Sequence, residues 1–450
     1  MKCRVVNSHN VLKEQRFDGS YHNAEVNVYD DVITSHSEHN LSYYCSEIFT
    51  SGRNRRVYTK PEFGYPFLSN SDAASLNPLA TCKFSSKKYG YDETAVLKGG
   101  MILTGRVGAI GQTTFVPKYW ERYKMMGSDN IIRIVVNPRY KNGFIYAYLA
   151  SKVGNLSFWK HATGGVQPFI TDDMVASLPI PHFPASFQKE VDDLMQESAR
   201  LREEAMDALE EAVRYFDGKY SIKEEFTKHF SLKLSQLKLG IAAYNNNLEV
   251  DEFIGKYSGD SIRLKDITFK IFAPPMFKHI YLEKDNGYPF MTGSELTQFN
   301  LRYYRWLSPR GVKDIQDYIV NKGTLLLYKS GTTDGGILGN VFIADKKLDG
   351  CCLSDHVIRI VFNDENMAYW AFAFLKSKGA VKMLQRLATG TMIPFITPER
   401  ISELQIPSPD DNYYRIVRLV DKYIELNSQS KEDETKAISM VEQEIEKWNK

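Results

Sequence analysis

The side chains whose types and spacing suit chemistry in this sequence are cations set among aromatics, not paired acids, nucleophiles or metal ligands. Arg53, Arg55, Arg56, Tyr58 and Lys60 form one such group, and Lys83, Lys87, Lys88 and Tyr89 a second. Lys278 with His279, and Arg302, Tyr303, Tyr304, Arg305 and Trp306, form two more. Arg and Lys neutralise phosphates or reach guanine edges, and small polar side chains reach adenine or backbone oxygens. Two glycine-rich stretches, Thr104 to Gln112 and Lys329 to Gly336, follow strand-like runs and can bring backbone N–H groups up to phosphate. They lack the Gly-Lys-Ser/Thr ending and strand–helix context of a nucleotide loop, and tight hairpins are the alternative. Loop position and charge single out Arg53, Arg55, Arg56, Lys60, Arg106 and Gln112 in the first half, and Lys278, Arg302, Arg305 and Lys329 in the second, as DNA-binding candidates. For any one cluster a solvated surface is the competing reading. Recurrence in matched places of two halves favours a polyanion.

Catalysis fails on inventory. The nine histidines include no His-Glu-x-x-His or His-x-x-x-His pairing, and there is no Gly-x-Ser-x-Gly elbow or regular carboxylate pair. Asn137-Pro138-Arg139-Tyr140 is similar to the Asn-Pro-Pro-Tyr loop of amino-methyltransferases. Its counterpart in the second half is Asn363-Asp364-Glu365-Asn366, and no glycine-rich cofactor loop accompanies it, so it reads as a strand-ending turn. No catalytic residue, metal or cofactor is expected. The five cysteines are odd in number and form no Cys-x-x-Cys pair, which suits a reducing compartment, with Cys351 and Cys352 as small buried side chains. No apolar run approaches the roughly 20 residues of a membrane span, and the polar start lacks a signal-peptide core, so a cytoplasmic location is expected.

The elements that must position these groups come twice. Gly64-Tyr65-Pro66-Phe67 returns 223 residues later as Gly287-Tyr288-Pro289-Phe290, with Ile48-Phe49 as Ile271-Phe272 and Tyr58 as Tyr281. At an offset of 226, SDNIIRI (128–134) returns as SDHVIRI (354–360), and Ala162-Thr163-Gly164 as Ala388-Thr389-Gly390. Pro168-Phe169-Ile170-Thr171 likewise returns as Pro394-Phe395-Ile396-Thr397, and Leu178-Pro179-Ile180-Pro181 as Leu404-Gln405-Ile406-Pro407. A unit of more than 200 residues is too long for a solenoid repeat and corresponds to a whole domain. The branched apolar runs Met101 to Leu103, Ile131 to Val136, Leu325 to Tyr328 and Val357 to Phe362 predict strands. Phe144 to Lys152 and Ala368 to Lys378 predict short helices, so each half is α+β.

Each half closes on a long helix. From Pro184 to about Phe216, Val191, Leu194, Ser198, Leu201, Ala205, Ala208, Ala212 and Tyr215 follow at spacings of 3 and 4, a coiled-coil seam narrowed by alanine. The second seam runs through Val417, Val420 and Ile424, then Ile438, Val441, Ile445 and Trp448, and its polar middle predicts a break or kink near Asn427 to Asp433. Packing of each helix on its own domain is one reading. Their length favours antiparallel pairing, with the globular domains at opposite ends of a rod. Charge divides the same way: Ala185 to Asp217 carries −6 and Asp410 to Lys450 carries −3, so the remainder of this +2 chain carries +11. Basic domains suit polyanion, and acidic helices suit protein partners.

The doubled order of glycine-rich loop, Ala-Thr-Gly, Pro-Phe-Ile-Thr, Leu-x-Ile-Pro and long helix resembles the DNA specificity subunit of type I restriction-modification systems. Ala162 to Thr171 with Leu178 to Pro181, and Ala388 to Thr397 with Leu404 to Pro407, are similar to that family's two conserved regions. The run that usually follows Leu-x-Ile-Pro differs here, being His182 to Gln188 and Ser408 to Asp411. The resemblance implies target recognition domains at 1–183 and 218–408, spacer helices at 184–217 and 409–450, and a bipartite asymmetric site on double-stranded DNA. It further implies docking of two methyltransferase (modification) subunits and of restriction/translocase subunits, with no catalysis, cofactor or membrane contact in this chain. Two other classes compete: a standalone DNA methyltransferase with an unrecognised site, and a structural adaptor that does not bind DNA.

Overall fold

The structure, a computed structural model, describes residues 5, 7–14, 16, 17, 19–22, 25–53, 55–223, 231–237, 243–301, 305–331, 337–390 and 392–448. The chain divides into one unit of Met1–Glu203 with Gln429–Lys450 and another of Glu204–Ser428. Both are α+β.

In the first unit the branched residues of Ile131–Val136 place that strand inside a four-stranded antiparallel sheet, in the order Cys45–Thr50, Ile131–Val136, Ile102–Gly105, Thr113–Phe115. A second sheet runs Tyr58–Thr59, Lys83–Ser86, Gly64–Leu68, Met126–Gly127, its last pair parallel. The second unit repeats both orders. Its first sheet is Thr268–Phe272, Val357–Phe362, Leu325–Tyr328, Val341–Ile343, and its second is Tyr281–Leu282, Arg305–Leu307, Tyr288–Met291, Cys352–Leu353. The predicted strands Ile131–Val136, Leu325–Tyr328 and Val357–Phe362 carry those bounds, because Gly, Asn or Asp interrupts β geometry at or near their ends.

Where one short helix was predicted after each of these central strands, there are two: Asn142–Ala150 then Lys152–His161, and Glu365–Leu375 then Lys378–Arg386. Ser151 and Ser377 end the first helix of their pair or follow it closely. Each then caps the second by accepting from the backbone N–H of Gly154 (3.1 Å) and Ala380 (3.4 Å). Fully buried aromatics, among them Phe144, Tyr146 and Phe158 in the first unit and Trp370, Phe372 and Phe374 in the second, pack these helices, each worth about 1.5–3 kcal/mol.

Each central strand carries one buried cation, Arg133 or Arg359, almost without solvent exposure. Arg133 donates to its own strand at Ile131 O (2.7 Å) and to the second sheet at Gly127 O (2.6 Å). Arg359 donates to Val357 O, to Ser354 O (3.0 Å) and to Leu353 O of the second sheet (2.7 Å). Burial pushes both guanidinium groups down to about 10, still charged at neutral pH. The planar fork of donors is what lets one side chain bond two strands at once.

The long helices are Ala185–Lys219 and Tyr413–Trp448. Their sections within the first unit run antiparallel. Ser198 Oγ donates to Ser430 O and Ser430 Oγ to Ser198 O, both at 2.7 Å and buried. Within the second unit Arg415 pairs with Glu211 (2.7 Å), and Tyr215 and Lys219 both reach Asp410, again antiparallel. The expected break near Asn427 to Asp433 does not occur, since Tyr413–Trp448 is one continuous helix. Its polar middle is buried with partners: Ser430 bonds Ser198, and Glu434 accepts from the Tyr146 hydroxyl. The helices also close the cores, with Glu442 accepting from the Lys152 N–H (2.6 Å) and Asp217 from the Lys378 N–H (2.8 Å), each at a helix N-terminus that favours an anion.

Arg133→Met removes the donors to the Gly127 and Ile131 carbonyls and is expected to cost the first unit about 3 kcal/mol or more. Arg133→Lys does not restore it, because a single ammonium lacks the fork. Urea unfolding checks this, and an unchanged midpoint for Arg133→Met contradicts it.

Candidate nucleic-acid interface

In the first unit the candidates gather around the turn that leads into Ile131–Val136. Asp129 faces Arg56 at 3.0 Å and Arg53 at 3.9 Å, while the neighbouring Asn130 carbonyl accepts from the Arg106 backbone N–H at 2.8 Å. The structure therefore brings Arg53, Arg56 and Arg106 to one segment, Ser128 to Asn130. Arg53 is 94% exposed in its side chain. Exposed ion pairs of this kind contribute at most about 1 kcal/mol, so these arginines are oriented by Asp129 yet can exchange it for phosphate. Arg55 lies exposed in the same loop, and Lys60 exposed just before the Pro61–Phe63 turn. Gln112, half-buried, ends the glycine-rich loop with its N–H on Ala109 O (3.2 Å).

In the second unit Lys329 occupies the place of Arg106. Its N–H donates to His356 O (2.8 Å) as that of Arg106 does to Asn130 O. Arg305 stands on the second sheet, bonded to Glu295 Oε2 (2.7 Å) and the Tyr281 hydroxyl (3.2 Å), with its guanidinium 5.4 Å from the centroid of the Tyr281 ring. Glu295 is itself fixed, since it accepts from the Thr292 N–H (2.6 Å) in a capping box. Lys278 is exposed beside His279, whose ring nitrogen is 3.3 Å from the Tyr281 hydroxyl. His279 and Arg305 thus share the Tyr281 edge, with Lys278 next to His279 in sequence, whereas Lys329 belongs to the first-sheet loop. Arg302 lies outside the described residues, as do 332–336 of the second glycine-rich stretch.

The geometry adds Lys83. It pairs opposite Phe67 as Arg305 pairs opposite Phe290, and its ammonium sits 4.7 Å from the centroid of Tyr58, the counterpart of Tyr281. Each unit therefore offers a cation on a matched tyrosine, Lys in one and Arg in the other. Lys87 and Lys124, at 5.5 and 5.6 Å from the Tyr65 centroid, extend the basic surface in the first unit. Cation–aromatic stacking holds long side chains in place without neutralising them.

Nothing among the described residues assembles a metal site, and no described helix is long and apolar enough to cross a membrane. Burial pushes the Cys45, Cys82 and Cys352 thiols up to about 12 and that of Cys351 to about 11, the opposite of what a nucleophile needs.

Residues 260–439 match the family described as type I restriction modification DNA specificity domain. That match spans 180 of the chain's 450 residues. The match covers the second copy of the repeat, and the first copy presents the same two sheet orders. No curated protein matches. Among solved structures, similarity is found to the type I restriction-modification S subunit from M. genitalium, at 12% identity over 91% of this chain and 94% of that one, with a TM-score of 0.29. The HsdS subunit from Thermoanaerobacter tengcongensis gives 14% over 90% and 95%, with a TM-score of 0.27. The type IIG restriction endonuclease BpuSI gives 12% over 42% and 30%, with a TM-score of 0.30. These superpositions are too loose for any residue to be carried over.

Lys83→Ala and Arg305→Ala are each expected to weaken duplex binding and to reduce the slope of log affinity against log salt by about 1. Equilibrium binding over a salt series checks this, and an unaltered slope in both variants contradicts phosphate contact by these cations.

Proposed function

We propose that each unit reads one half of a bipartite, asymmetric site on double-stranded DNA, and that this chain carries recognition while its partners carry catalysis. The observation that supports this most strongly is the pairing of constancy with divergence. Arg106 and Lys329 are held by the same backbone bond in the same sheet order, yet the side chains around them differ: Lys83 against Arg305, and Arg53 to Arg56 against Lys278 and His279. A shared frame with different polar groups suits two half-sites of different sequence.

In this reading the recognition domains are 1–183 and 218–408. The helical segments 184–217 and 409–450 set the gap between half-sites and dock two modification subunits, with restriction/translocase subunits joining that core. S-adenosylmethionine and nucleotide bind to the partners, and the assembly works in the cytoplasm. The acidic helices and basic domains support this division of labour between protein and DNA.

Inserting one heptad into each long helix, at facing positions so that their pairing is kept, is expected to lengthen the gap and leave the half-site bases as they were. Mapping of methylated sites in cells carrying the complex reads both at once. A changed half-site with an unchanged gap refutes the assignment of spacing to the helices.

A further inference from the structure

After the second helix of each pair, the chain makes a short hairpin that the candidates above do not include. In the first unit Thr163 and Phe169 exchange backbone hydrogen bonds of 2.8 and 2.7 Å, and in the second unit Thr389 and Phe395 do so at 2.9 and 2.8 Å. Both hairpins open on a left-handed glycine, Gly164 at φ +98° and Gly390 at φ +106°. A Cβ there would stand 2.9 Å from Gln167 O or 3.0 Å from Ile393 O, so only glycine makes the turn.

The hairpins are tied to the loops that carry the basic candidates. Ile170 N–H donates to Arg106 O (2.9 Å), and Ile396 N–H to Lys329 O (2.8 Å). Gly331 N–H further donates to Pro394 O (3.2 Å). On this rigid frame the tips are apolar and in solvent: Val166 is fully exposed, Met392 93% exposed and Ile393 68% exposed. Leaving such side chains in water is unfavourable, and a site that repeats in two copies marks a surface that becomes covered.

Two observations choose the partner. The cations Arg106 and Lys329 lie on the loops bonded to these hairpins, which makes the surroundings fit for a polyanion. The tips also differ, Val166-Gln167 in one copy and Met392-Ile393 in the other, while their anchors Pro168-Phe169-Ile170-Thr171 and Pro394-Phe395-Ile396-Thr397 are identical. A protein docking alike on both copies would meet like residues, whereas two different half-sites require unlike ones. We propose that the two hairpin tips are apolar reading heads, Val166 and Met392–Ile393 packing against thymine 5-methyl groups in the DNA major groove, where that methyl is the apolar mark of an A·T pair. This rests on the reading that each unit recognises a half-site.

The test uses the full chain assembled with its modification subunits and the site mapped by methylation. Duplexes carrying uracil in place of each half-site thymine lack only the methyl group. The wild-type complex is expected to bind the uracil duplex about four-fold more weakly per contacted methyl. Val166→Gln should abolish that discrimination in one half-site, and Met392→Gln in the other, with subunit assembly and melting temperature unchanged. A half-site without thymine, or thymine–uracil discrimination that survives both substitutions, overturns the proposal. So does a loss of modification-subunit association in these variants, which would assign the tips to a protein partner. If the wild-type complex shows no site-specific binding, the half-site reading itself fails; specific binding with indifferent tips removes only this inference.

Discussion

The buried guanidinium groups of Arg133 and Arg359 are the constraint on which each unit depends. Each sits in the middle of an otherwise apolar central strand and spends its donors on backbone carbonyls of two sheets. A cation so buried is tolerable only because those carbonyl dipoles replace its hydration. The consequence reaches the surface. The carbonyls it fixes flank the turns Ser128 to Asn130 and Ser354 to His356, and the backbone of those turns in turn holds the N–H groups of Arg106 and Lys329. The path from interior to interface is thus a short series of hydrogen bonds, the same in both units.

From that frame outward the copies part. Capping boxes at Ser69–Asp72 and Thr292–Glu295 occupy matched positions, yet Asp72 accepts from Thr81 while Glu295 reaches Arg305. One extra methylene changes what the cap can orient. Lys83 and Arg305 differ in a further respect, since a guanidinium offers a fork of donors and an ammonium a point charge. Divergence of this sort leaves the interior alike in the two units and changes the charged groups at the rim.

Much of this was legible in the residues, and the exceptions have physical causes. The repeat and the central strands stood out because branched apolar runs between turn residues have few other uses. Arg133 and Arg359 lay inside the repeated heptapeptides SDNIIRI and SDHVIRI, but an Arg in a strand ordinarily marks a solvent face, and only the carbonyls around it reveal the clamp. The continuity of Tyr413–Trp448 is hidden in the sequence because Ser430 and Glu434 look like breaks until Ser198 and Tyr146 are seen to satisfy them. The match between Lys83 and Arg305 does not show in the repeat. Strand register relates those two at 222 residues, one short of the 223 that relates the tyrosines beneath them.

The most direct measurement of the central claim is a methylation map made after transplanting one reading surface. Residues 51–127 and 163–169 of the first unit, which span its second sheet, glycine-rich loop and hairpin, are replaced by the corresponding 274–353 and 389–395 of the second. If each unit reads its own half-site on a common frame, the complex should methylate a site whose two halves carry the same bases, with the gap retained. An unchanged asymmetric site would contradict the account.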